Sequence, residues 1–471
     1  MYTSMKELVP LCVLPCLFAL LMVGSSAHAQ RMIEIQPDWN TTMDNRMEWW
    51  HDARYGMFIH WGPDALPHQK GAEFVGTRIP PHLDEGWRNY EDLLKLGLVF
   101  NPVDFNAKEW VDIARNAGMK YIVYVTKHHN GFVMYDSNYT DFDIVDYTPF
   151  ARDPLKELAD ACLDAGIRLG VYYSVPDKHH PEFPPKWYRN LHYDPNPDAD
   201  LDLYIEFMEN QIRELLTNYG QIDVLFFDDG GAFDSDVVSS PQERAELLHA
   251  IEGMKMIRSI QPDIIINDRY AHGTMDYLSA EDSYPELGDF MTLHNFETNA
   301  TLYTDPDGTW MYDKRKIGWI TGDTVIHNLA HMASMGGNYL LNVGPTAEGV
   351  IPKWSVDILL EAGDWLKKYG ESIYGTKGTQ WEQPEWGRIT YKILPDGTTR
   401  MYLHVFEWPE DGRLVLDTVR RHPIQAYALR SIPRKNYNVE IEGNATIVVT
   451  LDGGAWEQAN SVVVLDVDKA R

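Results

Sequence analysis

Between residue 47 and about residue 368 the chain alternates short apolar runs with stretches of helical periodicity. Tyr55 to Trp61, Tyr121 to Thr126, Ile167 to Ser174, Val224 to Phe227, Ile264 to Ile266 and Tyr339 to Val343 are apolar runs of strand length. Helix signals lie between them. Trp110, Ile113, Ala114 and Ala117 share one face over Ala107 to Ala117, and Gly118 supplies a left-handed stop. Asp153 is placed as an N-cap before Pro154; Leu155, Leu158, Ala159 and Cys162 make the inner stripe, and Gly166 terminates. Further helices are expected from about Leu203 to Tyr219, over Glu243 to Ser259, ending at Gly336-Gly337, and over Ser355 to Tyr369. Strands alternating with helices of this length imply βαβ units around a parallel sheet, and the count favours a (β/α)8-like, TIM-type barrel. The sixth and seventh strands carry no clear signal.

The pattern changes after Gly370. Short β-rich runs follow from Arg388, Arg400, Arg413, Gln425, Tyr437, Thr446 and Ser461, separated by turn residues such as Asp396-Gly397 and Asp411-Gly412. The expected organisation is therefore a signal peptide over 1–29, a catalytic barrel over 30–370, and an all-β sandwich over 371–471.

The signal reading rests on Lys6, the apolar run Leu8 to Val23 and the small-residue site Ala27-His28-Ala29 before Gln30. The run is short for a membrane span, which needs about 20 residues. Export to the periplasm or the extracellular space is expected, with no membrane attachment after cleavage. Cleavage would leave Cys162 as the one cysteine of three, so no internal disulfide can form. The net charge of −29 argues against nucleic acid and anionic membranes as partners, and suits a neutral substrate. An aromatic content of 12% is compatible with sugar-stacking surfaces. A homo-oligomer is compatible with the composition.

Polar residues gather at the ends of the expected strands. His60-Trp61, Lys127-His128-His129-Asn130, Tyr172-Tyr173-Ser174, Asp228-Asp229 and Asn267-Asp268-Arg269 each follow an apolar run, with Ala280-Glu281-Asp282 shortly after. In a (β/α)8 barrel these C-terminal strand ends form one bowl, where catalysis takes place. Cleaving a glycosidic bond calls for two carboxyl groups, one to attack or stabilise the anomeric carbon and one to protonate the leaving oxygen. Asp228 suits the first task and Glu281 the second. Arg269 can hold a carboxylate or a sugar hydroxyl; the imidazoles and Tyr173 can exchange hydrogen bonds with ring hydroxyls; Trp61 and Phe226 can pack on an apolar sugar face. Asp228 and Asp229 point to opposite sides of a strand, so at most one of them enters the bowl. Glu297 stands as an alternative acid or as a structural partner of an arginine, and His179-His180 as an exposed loop pair. His60, His128 and His129 with Asp228 and Glu281 also admit a metal reading, but no HExxH or paired-cysteine spacing supports it, and no metal or cofactor is expected.

The sequence resembles the α-L-fucosidases of glycoside hydrolase family twenty-nine. The likeness is carried in order by Arg54-Tyr-Gly-Met-Phe-Ile-His-Trp-Gly62, Lys127-His-His-Asn-Gly-Phe132, Gly170-Val-Tyr-Tyr-Ser174, Val224-Leu-Phe-Phe-Asp228 and Gly336-Gly-Asn-Tyr-Leu-Leu-Asn-Val-Gly-Pro-Thr346. The resemblance implies a retaining double displacement on fucosylated oligosaccharides or glycoconjugates, with Asp228 as nucleophile. It implies His60, His128, His129, Tyr173 and Arg269 as sugar contacts, Glu73 as an early glutamate of the site, and Glu281 as acid/base. Phe226, Asp229, Asn130 and Tyr135 depart from the family's usual Trp, Gly, Asp and Trp, which bears on linkage preference. A hydrolase for a related sugar such as an α-L-galactoside, and a fucose-binding protein without turnover, are the rival readings.

Overall fold

The computed structural model describes residues 39–66, 90–184, 196–228, 241–270, 275–304, 310–314, 318–379, 381–443, 445–454, 457 and 459–469. The expected signal segment, Glu73 and Asp229 lie outside them. In chain order the first half contains α1 (Trp39–Ala53), β1 (Tyr55–Ile59), α2 (Tyr90–Val99), α3 (Ala107–Asn116), β2 (Tyr121–Lys127), α4 (Pro154–Ala165), β3 (Arg168–Ser174), α5 (Leu201–Asn218) and β4 (Val224–Asp228). Then come α6 (Pro241–Leu247), α7 (Ala250–Ile260), β5 (Ile265–Ile266), β6 (Leu278–Glu281), β7 (Phe296–Ala300), α8 (Gly322–Met335), β8 (Asn338–Val343) and α9 (Lys353–Tyr369).

The local chemistry explains the helix ends. Asp153 accepts from Lys156 N, Pro154 occupies the first turn, and Gly166 closes α4 at φ 67°. Asn106 caps α3 in the same way, and Gly118 follows it at φ 88°. One expectation needs correction: the single helix over Glu243 to Ser259 is two, α6 and α7. His249 breaks them apart at φ 47°, a conformation that ends the ladder of one helix before the next begins.

The eight strands pair in parallel in the order β5-β4-β3-β2-β1-β8-β7-β6. A parallel bridge from Asn267 to Tyr277 joins the two ends, giving the TIM-like barrel. Strands β1, β2, β4, β7 and β8 are buried along their whole length, so apolar runs rather than alternation mark most of them. The elusive strands β6 and β7 are Leu-Ser-Ala-Glu and Phe-Glu-Thr-Asn-Ala, too short and polar to announce themselves. A 3-10 helix at Phe290–Leu293 lies between them in place of a full crossover helix.

The remaining strands, β9 (Gly387–Ile393), β10 (Thr399–Val405), β11 (Arg413–Leu416), β12 (Pro423–Ala428), β13 (Asn436–Glu442), β14 (Thr446–Thr450) and β15 (Ser461–Val467), make an antiparallel sheet ordered β11-β14-β13-β12-β15-β10-β9. β12 and β13 share two residue pairs, so the sheet folds over along that seam. Both leaves turn residues such as Leu403, Leu414, Val449 and Leu465 into one core, which makes a sandwich. Trp49 to Arg471 form one compact unit holding both sheets. The two are stitched by Trp365 Nε1 donating to Asn460 O at 2.9 Å and Arg388 Nε donating to His331 Nδ1 at 2.8 Å. Among the described residues no helix is long and apolar enough to cross a membrane.

Candidate active site

A cavity of about 570 Å³ opens at the C-terminal ends of the barrel strands. Its floor is aromatic. Phe58 and Phe226 stand 5.2 Å apart, Tyr172 stacks on Phe226 at 5.9 Å, and the Arg269 guanidinium lies 5.6 Å from the Phe226 ring. Such a floor presents apolar faces to the ring face or methyl substituent of a sugar.

Asp228 closes β4 and is 8% exposed. Arg269 Nη1 donates to its Oδ1 at 2.9 Å, and the Tyr172 hydroxyl donates to its Oδ2 at 2.6 Å. The same Arg269 Nη1 also donates to Glu281 Oε1, at the end of β6. Two oxygens on one nitrogen can be no further apart than two hydrogen-bond lengths, roughly 6 Å. Arg269 is held in turn by Nε donating to Ser279 Oγ at 3.0 Å. Glu281 is the more open of the pair, its side chain 48% exposed against 11% for Asp228.

Three imidazoles face these carboxylates. His60 Nδ1 donates to Asn342 Oδ1 at 2.7 Å, which leaves Nε2 toward the cavity. Burial drives its pKa down to about 4 against the partial opposition of Asn342 and Asp228, so the ring is neutral. His128 stacks on Tyr172 at 5.6 Å, and burial, then the neighbouring His129 and His60, hold its pKa well below the usual range. His129 Nδ1 meets Ser174 Oγ at 2.7 Å, and its Nε2 lies 3.5 Å from Asp228 Oδ2. With Nδ1 donating to Asn342, the neutral His60 ring has Nε2 left to accept a hydrogen bond from a sugar hydroxyl. Ligand atoms of His128, His129 and Asp228 also lie within 4.8 Å of one another, a spacing a cation could bridge. The Arg269 guanidinium already sets a positive charge on that carboxylate, which would oppose such an ion.

The strand-end pattern thus brings together His60, His128, His129, Phe226, Asp228, Arg269 and Glu281. Two expected contacts point elsewhere. Tyr173 faces outward from β3, its hydroxyl donating to Gln211 Oε1 at 2.7 Å, and its neighbour Tyr172 lines the cavity instead. Successive strand residues alternate sides, and Asp228 facing inward selects Ser174 and Tyr172 on the paired strand. Trp61 is packed away between Phe105 at 5.3 Å and Trp110 at 5.0 Å, with Nε1 donating to Thr346 O. The cavity indole is Trp310, 5.1 Å from His60, its carbonyl accepting from Asn342 Nδ2 at 2.6 Å. Glu297 is buried beneath the site, accepting from Tyr121, with tyrosine rather than arginine as its partner. His179 and His180 are half-buried outside the cavity, the first stacked on Phe142 and the second tilted against Phe207.

A family model described as Alpha-L-fucosidase matches residues 21–371. The chain belongs to the alpha-L-fucosidase family. As a member of that family it is a glycoside hydrolase. Plasma alpha-L-fucosidase of Rattus norvegicus is 29% identical over 430 residues, covering 84% of this chain and 85% of that protein. Alpha-L-fucosidase isoenzyme 1 from Paenibacillus thiaminolyticus superposes with a TM-score of 0.76 at 32% identity, over 91% of this chain and all of that one. A Bacteroides thetaiotaomicron family twenty-nine α-L-fucosidase, trapped as a covalent intermediate with 2-fluoro-fucosyl fluoride in a glutamate-to-glutamine variant, superposes at 0.76 with 27% identity, over 90% and 96% of the two chains.

Tyr172, Phe58, Asn299, Asn342 and Trp310 are the fucosidase residues that the sequence pattern did not select. Phe58 lies two residues before His60, and Asn299 lies on β7, a strand without a clear signal, so period two offered a route to the first and not the second.

Proposed function

We propose that this fucosidase is an exo-acting retaining enzyme that removes terminal α-L-fucosyl groups from glycans, with Asp228 as nucleophile and Glu281 as acid/base. The observation that carries the assignment is the single Arg269 nitrogen shared by both carboxylates. It holds them within roughly 6 Å, compatible with the 5–5.5 Å of a retaining pair and short of the 6.5–9.5 Å an inverting enzyme needs for water.

In the first step an Asp228 oxygen forms a bond to the anomeric carbon. The bond to the leaving oxygen breaks with its electron pair, and Glu281 delivers a proton to that oxygen. In the second step Glu281, now a carboxylate, takes a proton from water. The resulting oxygen attacks the anomeric carbon, and the ester to Asp228 breaks. The Arg269 contact suits the carboxylate form that Glu281 needs in this second step. His60 and His128, neutral by burial, face the ring hydroxyls, and Phe58, Phe226 and Trp310 suit the C5 methyl group. The domain limits 30–370 and 371–471, the removal of residues 1–29 and export from the cytoplasm belong to the same reading.

Hydrolysis of nitrophenyl α-L-fucoside followed by proton NMR tests it: the first sugar released should be the α-anomer. Asp228→Ala should abolish turnover and, with azide added, yield the β-azide. Glu281→Ala with azide should yield the α-azide. A β-anomer released first, or turnover by Asp228→Ala, would overturn the assignment.

A further inference from the structure

Arg269 reaches the two carboxylates from the place where the barrel closes. β5 and β6 are the two ends of the strand order, and the bridge between Asn267 and Tyr277 joins them. Two residues beyond Tyr277 a side chain takes over from the backbone. Asp268 Oδ1 accepts from Ser279 N at 3.0 Å and from the Ser279 hydroxyl at 2.9 Å. Ser279 Oγ accepts in turn from Arg269 Nε at 3.0 Å, and Asn267 Nδ2 approaches the same oxygen at 3.4 Å.

Chemistry sets the direction of each contact. The Phe227 backbone donates to Asn267 Oδ1 and accepts from Asn267 Nδ2, both at 2.8 Å, so the amide has one orientation. Arginine and amide nitrogens only donate, so Ser279 Oγ accepts from both, and its one proton goes to Asp268 Oδ1. Arg269 counts in the same way. Nε has one proton and gives it to Ser279; Nη1 has two, and they go to Asp228 Oδ1 and Glu281 Oε1. A planar guanidinium held at Nε and at Nη1 has its plane fixed. Held at Nη1 alone it can pivot, and two protons aimed at oxygens on different strands lose their aim.

We infer that Ser279 and Asp268 are positioning residues that fix the plane of the Arg269 guanidinium, so that its Nη1 serves the nucleophile and the acid/base at once. The inference deepens the reading of Asp228 and Glu281 as that pair and rests on it. The two carboxylates depend on Arg269 unequally. Asp228 is also held by the Tyr172 hydroxyl and lies largely buried, whereas the Glu281 side chain is about half exposed. A guanidinium free to pivot would release Glu281 toward solvent first, and the separation that suits a retaining pair would widen.

The test is hydrogen exchange at the Arg269 Nε–H, read by NMR on the full-length enzyme labelled with 15N-arginine, with the signal identified by its loss in Arg269→Lys. Ser279→Ala should speed that exchange about tenfold and lower kcat/KM on nitrophenyl α-L-fucoside about tenfold, the scale of one hydrogen bond to a charged group. Asp268→Ala should move both in the same direction, and Asp268→Asn, which keeps an oxygen for the Ser279 proton, should recover both. Lysine has no second nitrogen for Ser279, so adding Ser279→Ala to Arg269→Lys should change kcat/KM by less than about twofold. An exchange rate or a kcat/KM unchanged in Ser279→Ala, or losses that multiply in the double variant, overturns the inference. The exchange rate reports the guanidinium whichever carboxylate attacks, so a failure of the nucleophile assignment shows separately, in the activity of Asp228→Ala.

Discussion

Glu297 offers a quantitative test of how the barrel interior is built. It lies on the same strand and side as the cavity residue Asn299, one layer lower, and has no exposure. Tyr121 donates to it, and Trp50 and Tyr277 face it. Burial outweighs these partners and raises its pKa from 4.5 to about 7. A carboxyl whose folded pKa is raised stabilises the fold fully below its unfolded value and progressively less as pH rises through the folded one. Between pH 4.5 and pH 7 the unfolded chain is ionised while the folded chain keeps the proton. Each pKa unit corresponds to about 1.4 kcal/mol, so wild-type stability loses about 3 kcal/mol across that window from this group. Glu297→Gln keeps an acceptor for Tyr121 and removes the titration. For a chain of 471 residues the unfolding entropy is on the order of 1 kcal/mol/K, so the variant should gain about 3 °C in Tm relative to wild type between pH 4.5 and pH 8. Thermal scans at the two pH values measure it. A difference in Tm that stays constant with pH, or falls, would refute the reasoning. Glu297→Gln should also keep turnover within about threefold of wild type, as expected of a residue that supports the floor and takes no part in proton transfer.

Four further outcomes follow from the same geometry. Tyr172→Phe deletes the donor to Asp228 and should lower kcat/KM about 10–100-fold, whereas Tyr173→Phe deletes a bond to Gln211 and should cost about 1 kcal/mol of stability with KM unchanged. Steady-state kinetics beside thermal unfolding separates the two. Trp310→Ala should raise KM about tenfold or more with little change in Tm, because the indole lines the cavity. Trp61→Ala should do the reverse, losing about 3–5 kcal/mol from a packed aromatic cluster.

Much of this molecule can be read from residue types because local chemistry and tertiary role agree. Asp153, Pro154 and Gly166 bound α4 by capping rules alone, and buried apolar runs ending in polar residues place His60, His128, His129 and Asp228 on one rim. Legibility fails where two neighbours are equally suited and geometry chooses between them. Tyr172 and Tyr173 have the same side chain, and the register of β3 on β4 selects the first. His60-Trp61 is similar: the histidine is drawn to Asn342 across the barrel, and the tryptophan turns out to Phe105 and Trp110. Trp310 reaches the cavity from a connection between β7 and α8, and periodicity is silent outside regular elements. β6 has four residues and β7 is interrupted by Glu297, Thr298 and Asn299, so neither leaves an apolar run or an alternation to be seen.

The central claim is that Asp228 carries the sugar between the two steps. Treating the enzyme with 2-fluoro-fucosyl fluoride and digesting it should attach one fluorofucosyl group to the peptide containing Asp228, with the fragment masses placing it on that side chain, and Asp228→Ala should take up no label. Attachment to Glu281 or to any other residue, or labelling that persists in Asp228→Ala, would contradict it.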